Sequence, residues 1–137
     1  MGRILSIDYG KKRTGLAVTD PLQLIANGLG TVDTSSLYDF VTDYVIRERV
    51  ERIVVGKPMQ PNGGESENMS RIRPFVQRLK KALPDVPVEY FDERYTSVLA
   101  HQAMIDGGLR KKARQNKALV DEISATIILQ GWMEARR

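Results

Sequence analysis

Apolar positions along the chain change period twice, and each change marks a change of element. Residues 3–9 form a largely apolar, β-branched run that predicts a first strand ending at Asp8-Tyr9. Gly10 and Gly15 bracket a short basic loop, and residues 16–20 return as a second strand, so the pair predicts a hairpin with a basic tip. Residues 25–32, interrupted by Gly28 and Gly30, predict a third strand with a bend or bulge. Three strands joined by short turns make an antiparallel meander. The period then lengthens. Leu37, Phe40, Val41, Tyr44 and Val45 recur at helical spacing behind Ser36, a candidate N-cap. Residues 52–56 are a short apolar run of the kind buried mid-sheet, followed by a loop by composition at 57–64. A helix is expected over 66–83, with an irregularity near Arg71 to Arg73 caused by Pro74. A strand at 86–91 follows, then a helix from Thr96 or Ser97 to Asp106, and a last helix over 117–134.

The order β-β-β-α-β-α-β-α-α predicts an α/β fold. Its centre would be a mixed five-stranded sheet, a three-strand antiparallel meander plus two parallel strands, with helices on both faces. The 137 residues suit a single domain spanning 1–137, and two large lobes enclosing a cleft are excluded.

Composition narrows the chemistry further. The chain has no cysteine and one histidine, His101, which excludes thiolate metal sites, cysteine nucleophiles and His-rich metal centres. A catalytic metal would be held by oxygens, which points to Mg²⁺ or Mn²⁺. No apolar run reaches the roughly 18–20 residues needed to span a bilayer, and the early Asp8 interrupts any signal-like stretch. A cytoplasmic protein without a membrane partner is expected. Against 17 acids stand 21 lysines and arginines, a net charge of +4, unevenly spread. Arg71, Arg73, Arg78, Lys80 and Lys81 form one acid-free stretch; Arg110, Lys111, Lys112, Arg114 and Lys117 form another. Such asymmetry suits a polyanion-facing side.

At three places acids stand where acids are disfavoured. Asp8 closes the first apolar strand, Asp92 and Glu93 close the strand at 86–91, and Asp121 heads a stripe continued by Ala125, Ile128 and Trp132. Neighbours on a strand point to opposite faces, so only one of Asp92 and Glu93 can share a site with Asp8. Each acid alone has an ordinary explanation: a strand end, a salt bridge to Arg94, or a favourable place early in a helix. Together they suggest a carboxylate cluster holding one or two divalent ions and hydrolysing phosphodiesters. Lys11, Lys12 and Arg13 at the tip, with Lys57, Arg94 and the basic stretch at 110–117, would grip a nucleic-acid backbone. Gly10 and Gly15 do not make a Walker A loop, because Leu16-Ala17 replaces the required Lys-Ser/Thr.

These residues resemble a known family. Ile7-Asp8-Tyr9-Gly10-x-Lys12-Arg13-x-Gly15-x-Ala17, Val55-Gly56-x-Pro58, Asp92-Glu93-Arg94-x-Thr96-Ser97 and Asp121-x-x-Ser124-Ala125 are similar to the motifs of the YqgF/RuvX family. The resemblance spans essentially the whole chain. It implies kinship with the RuvC Holliday junction resolvase and an RNase H-like fold. It also implies a small bacterial nuclease, cutting either branched DNA in recombination and repair or an RNA precursor at the 5′ end of pre-16S rRNA. The family's acidic positions carry over to Asp8, Glu93 and Asp121, as catalytic residues and as ligands of Mg²⁺ or Mn²⁺. RuvC has a fourth acid near the third; Ser124 stands in that neighbourhood here, leaving Glu122 as a possible helper. The first motif also resembles the phosphate hairpin of actin-like ATPases, but 137 residues cannot supply their two lobes. A nucleic-acid-binding module without nuclease activity is a further alternative. Symmetric junction cleavage requires a two-fold dimer. The sequence shows no dimer seam, so a monomer or weak homodimer acting on RNA is the expectation.

Overall fold

The computed structural model describes residues 2–58, 64, 66–92 and 116–136. Five strands, β1 (Arg3–Asp8), β2 (Arg13–Thr19), β3 (Ala26–Asp33), β4 (Val50–Lys57) and β5 (Val88–Asp92), form one sheet in the order β3-β2-β1-β4-β5. The meander is antiparallel, while β1–β4 and β4–β5 run parallel. Helices α1 (Leu37–Arg47), α2 (Met69–Ala82) and α3 (Lys117–Ala135) complete the described structure, with a 3-10 turn at Thr34–Ser36 before α1. The mixed sheet expected from the sequence is therefore present. The helix expected from Thr96 or Ser97, and His101 within it, lie outside the described residues.

Strand alternation divides the core into two layers. Leu5, Ile7, Leu16, Val18, Ile53, Val55 and Val88 face α1 and α2, meeting Leu37, Val41, Ile72, Phe75 and Leu79. Ile4, Ala17 and Val54 face the other way and pack on Ala125, Ile128, Leu129 and Trp132 of α3. The stripe read from the last helix is thus its buried face. Helices cover both sides of the sheet.

Boundaries differ from the sequence reading in instructive ways. β2 begins three residues earlier than expected, because Gly15 pairs with Asp8 and the Thr14 hydroxyl is buried against the Thr34 hydroxyl, 2.9 Å away. Ser36 precedes α1 but its side chain makes no cap bond; the 3-10 turn leads the chain in instead. α2 starts at Met69 rather than 66 and runs through Pro74 as a single helix. The expected bulge is real. Leu16 pairs with Gly30 and Ala17 with Gly28, leaving Leu29 as the extra residue, and Gly30 adopts φ 140°.

The far end of α3 is pinned to β5 through one carboxylate. Glu89 accepts from the Trp132 indole N–H, from Arg136 at 2.7 Å and from Arg52 at 3.0 Å. Burial by itself would raise the Glu89 carboxyl, but the Trp132 and Arg136 hydrogen bonds and the two arginine charges bring it below the ordinary carboxylate range. A lowered native pKa stabilises the fold above the ordinary value, and that contribution disappears as pH falls through the lowered one. Glu89→Gln should therefore cost about 1 kcal/mol at neutral pH. Its deficit relative to wild type should shrink on acidification in thermal melts run across the carboxylate range.

Candidate active site

The site forms where β1 ends and α3 begins, and glycines allow it. Residues 4, 6 and 8 of β1 alternate onto the α3 face. Ile4 packs on α3, Ser6 Oγ donates to the Ala125 carbonyl at 2.6 Å, and Asp8 follows two residues on. Along α3 in the opposite sense, Asp121 lies one turn before Ala125. Gly15, the register partner of Asp8, lies directly beneath that turn: a Cβ placed there would come within 2.0 Å of the Asp121 carbonyl oxygen. Only a residue without a side chain lets the helix approach so closely. On the other flank of Asp8, Gly56 lies two residues beyond Val54, which faces α3, and likewise contributes no side chain. Asp8 and Asp121 are thus brought to one face of the sheet, with glycine on either side of Asp8.

The third acid requires the register of β5. Glu89 and Phe91 touch α3, through Trp132 and against Gly131, whereas Val88 and Tyr90 belong to the opposite layer. Asp92 therefore falls on the side of the sheet away from Asp8. Glu93 lies outside the described residues, as do Arg94, Arg110, Lys111, Lys112 and Arg114; Lys117 opens α3, and its side chain is likewise outside. Among the described residues no three acids or histidines gather into a metal-binding group. The two carboxylates that do share the face supply hard oxygen donors, the set suited to Mg²⁺ or Mn²⁺. Glu122 is not beside them. Its carboxylate lies over Gly28 on β3, two strands from Asp8, where a Cβ would meet it at 2.5 Å.

The basic tip is more ordered than its composition suggests. The Tyr9 carbonyl accepts from Asn68 Nδ2 at 2.9 Å, the Gly10 carbonyl from the Thr34 hydroxyl at 2.7 Å, and the Lys12 carbonyl from the Thr34 amide at 2.9 Å. Lys11 and Lys12 are held at the surface by this scaffold, next to Asp8 in the chain. Arg13, the first residue of β2, shares the α3 face with Gly15 and Ala17, and its Nε lies 3.2 Å from Asp121 Oδ2. Lys57 stands at the same edge of the sheet but on the opposite face, with its ammonium 6.0 Å from the Tyr90 ring centroid. Asn68, Thr34 and Ser6 were not visible as site residues in the sequence. Their contribution is a side-chain bond to a distant backbone carbonyl, which leaves no periodic trace.

Comparison with known proteins now decides the family. The model of the RuvX family, described as a Holliday junction resolvase, matches residues 2–135. The chain belongs to the RuvX family. Among relatives of this RuvX chain, one from Phocaeicola vulgatus is 69% identical over 137 residues, all of this chain and 99% of the relative. Another from Bacteroides fragilis is 65% identical with the same coverage. Both carry the name "Putative pre-16S rRNA nuclease". Of solved structures, Thermus thermophilus RuvC in complex with a Holliday junction substrate aligns with a TM-score of 0.62. That alignment covers 99% of this chain and 96% of RuvC at 20% identity, a likeness of fold. The RNase H-like architecture and the nuclease class expected from the motifs are thereby supported, and nucleic acid is the class of substrate on which this family acts. No helix among the described residues is long and apolar enough to cross a membrane.

Gly15 offers a direct check of this geometry. Gly15→Ala drives a methyl group into a helix carbonyl and must push α3 off the sheet. Such overpacking should cost about 2–3 kcal/mol in denaturant unfolding, well above a surface Gly→Ala change. It should also lower nuclease activity more than its stability loss explains. A neutral Gly15→Ala would contradict the close approach.

Proposed function

We propose that this RuvX chain is a divalent-metal-dependent nuclease, one domain over residues 1–137, whose substrate is the 5′ leader of pre-16S rRNA. The observation that carries the reading is the convergence of Asp8 and Asp121 on one face through Gly15. Glu93 is assigned as the third acid on the family's Asp92-Glu93-Arg94 motif, because Asp92 itself falls on the face of the sheet away from Asp8. These three side chains would hold Mg²⁺ or Mn²⁺, one ion or two. Bound there, the metal would supply an activated water and stabilise the leaving oxygen. The chain's own cations do the positioning. Lys11 and Lys12, held on their braced turn, meet phosphates beside Asp8, and Lys57, Arg94 and the stretch Arg110 to Lys117 extend the contact along the backbone. Phosphate contacts fix register without reading sequence, which suits a processing enzyme whose target is defined by context.

RNA is favoured over a four-way junction by the names of the relatives at 69% and 65% identity. A monomer or weak homodimer suffices for a single-strand cut, whereas symmetric junction cleavage needs two sites. The soluble interior of the cell is where such a substrate is found.

Three comparisons test the proposal. Mn²⁺-dependent cleavage of a pre-16S leader should exceed cleavage of a four-way junction; the opposite preference would return the chain to the resolvase reading. On the better substrate, Asp8→Asn, Glu93→Gln and Asp121→Asn should each lower turnover at least about 10²-fold while leaving binding within a few-fold. An active Glu93→Gln beside an inactive Asp92→Asn would reverse the assignment of the third acid. Replacing Lys111, Lys112 and Arg114 together by Ala should weaken binding on all sequences alike. It should also flatten the slope of log affinity against log salt by about 2–3, and an unchanged slope would remove these residues from the interface.

A further inference from the structure

Arg13 belongs by sequence to the basic tip, yet it does not project with Lys11 and Lys12. Its guanidinium turns along the α3 face, and Nε reaches Asp121 Oδ2 at 3.2 Å, with side chains 38% and 26% exposed. A cation of the chain itself therefore stands on one of the two acids gathered at the site. A guanidinium on Oδ2 occupies acceptor sites that a metal ion would use, and its charge offsets the negative charge that draws the metal. The pair is also easy to open, since ion pairs this exposed hold weakly. Arginine has a second good partner in a phosphate, which its planar fork matches as well as it matches a carboxylate. Arg13 follows Lys11 and Lys12 directly, at the place where the proposed reading brings the nucleic-acid backbone.

We infer that Arg13 is a resident counter-cation, holding Asp121 until metal and nucleic acid arrive and then passing from carboxylate to phosphate. This rests on Asp121 being a metal ligand. Two consequences follow from the geometry. The free protein binds metal less tightly than its carboxylates alone would allow, because Arg13 must first leave Asp121. Nucleic acid and metal also help each other, since a phosphate that draws Arg13 away vacates the carboxylate, and the coupling is reciprocal. The site is thus loaded in the presence of substrate and kept quiet without it.

The test is Mn²⁺ binding to the free protein, followed by the paramagnetic resonance signal of unbound Mn²⁺, for wild type, Arg13→Gln, Arg13→Lys and Asp121→Asn. Arg13→Gln should bind Mn²⁺ about fivefold more tightly than wild type. Arg13→Lys, which keeps the charge and stem but loses the fork, should tighten it by a smaller factor; it also serves if the glutamine variant fails to fold. In a second measurement, anisotropy of a fluorescein-labelled single-stranded RNA is read with and without Ca²⁺. Wild type should gain more affinity from Ca²⁺ than Arg13→Gln does. Unchanged or weaker Mn²⁺ binding in both Arg13 variants, with Asp121→Asn still impaired, would overturn the inference and leave Arg13 a strut between β2 and α3. Wild-type Mn²⁺ binding by Asp121→Asn would instead overturn the metal-ligand reading beneath it.

Discussion

The approach of a helix carbonyl to a bare strand backbone is the constraint on which this molecule depends. At Gly15 nothing separates β2 from the turn of α3 that carries Asp121. One turn further on, the Ser6 hydroxyl reaches the Ala125 carbonyl and fixes the helix against β1 as well. A layer of ordinary side chains between a sheet and a helix keeps their backbones about 10 Å apart. Here small residues and one hydroxyl replace that layer at the functional end, while Ile128, Leu129 and Trp132 restore it at the other. The helix backbone thereby meets the strand backbone directly beside the two acids. Among the described residues, β1, β2 and β3 each contribute a contact that fixes the helix's position.

That arrangement also explains how acids survive at the edge of an apolar sheet. Asp8 ends a strand whose preceding residues Ile4 to Ile7 are all buried. It stands at the C-terminal edge of the parallel strands, where α/β proteins place their ligands because the connecting loops leave room there. The flanking glycines keep side chains from closing over it. Arg13 supplies positive charge to Asp121, so the negative charge gathered on this face is moderated within the chain itself. The scaffold around it is polar and precise in a different way: Thr34 and Asn68 brace the turn through three backbone carbonyls or amides, so the turn beside Asp8 is set by side chains from two other elements.

Most of the architecture was legible because it is written in periodicity. The alternating strands, the Leu37 to Val45 stripe and the Ala125, Ile128 and Trp132 face all carry the spacing of the surface they bury. Gly28 and Gly30 announced the bulge. The early start of β2 was not legible, because Arg13 and Thr14 are polar and look like loop; what makes them strand is a partner strand and a buried hydroxyl pair. The Ser36 cap misled for a related reason, since cap propensity is local and the 3-10 turn before α1 is set by Thr34 reaching back to Gly10. For the site, Asp8 and Asp121 could be suspected from acids in apolar settings, but their meeting depends on Gly15, whose motif spacing signals a turn as readily as a helix contact. The turning of Arg13 onto Asp121 had no sequence signal: a lysine-lysine-arginine run reads as one solvated patch, and only the start of β2 at Arg13 separates its third member from the first two.

Trp132 is the only tryptophan in the chain. It lies on α3 about three turns beyond Asp121, with its indole N–H on Glu89, the Arg136 guanidinium 4.6 Å from its ring centroid and that of Arg52 at 6.0 Å. An indole so placed emits from a mostly dry pocket with two cations over its π face, and both conditions hold only while α3 is seated. The helix that brings an acid to the site thus carries a native fluorophore at its other end. Emission from this single tryptophan becomes a gauge of how firmly that helix lies on the sheet, with no label added.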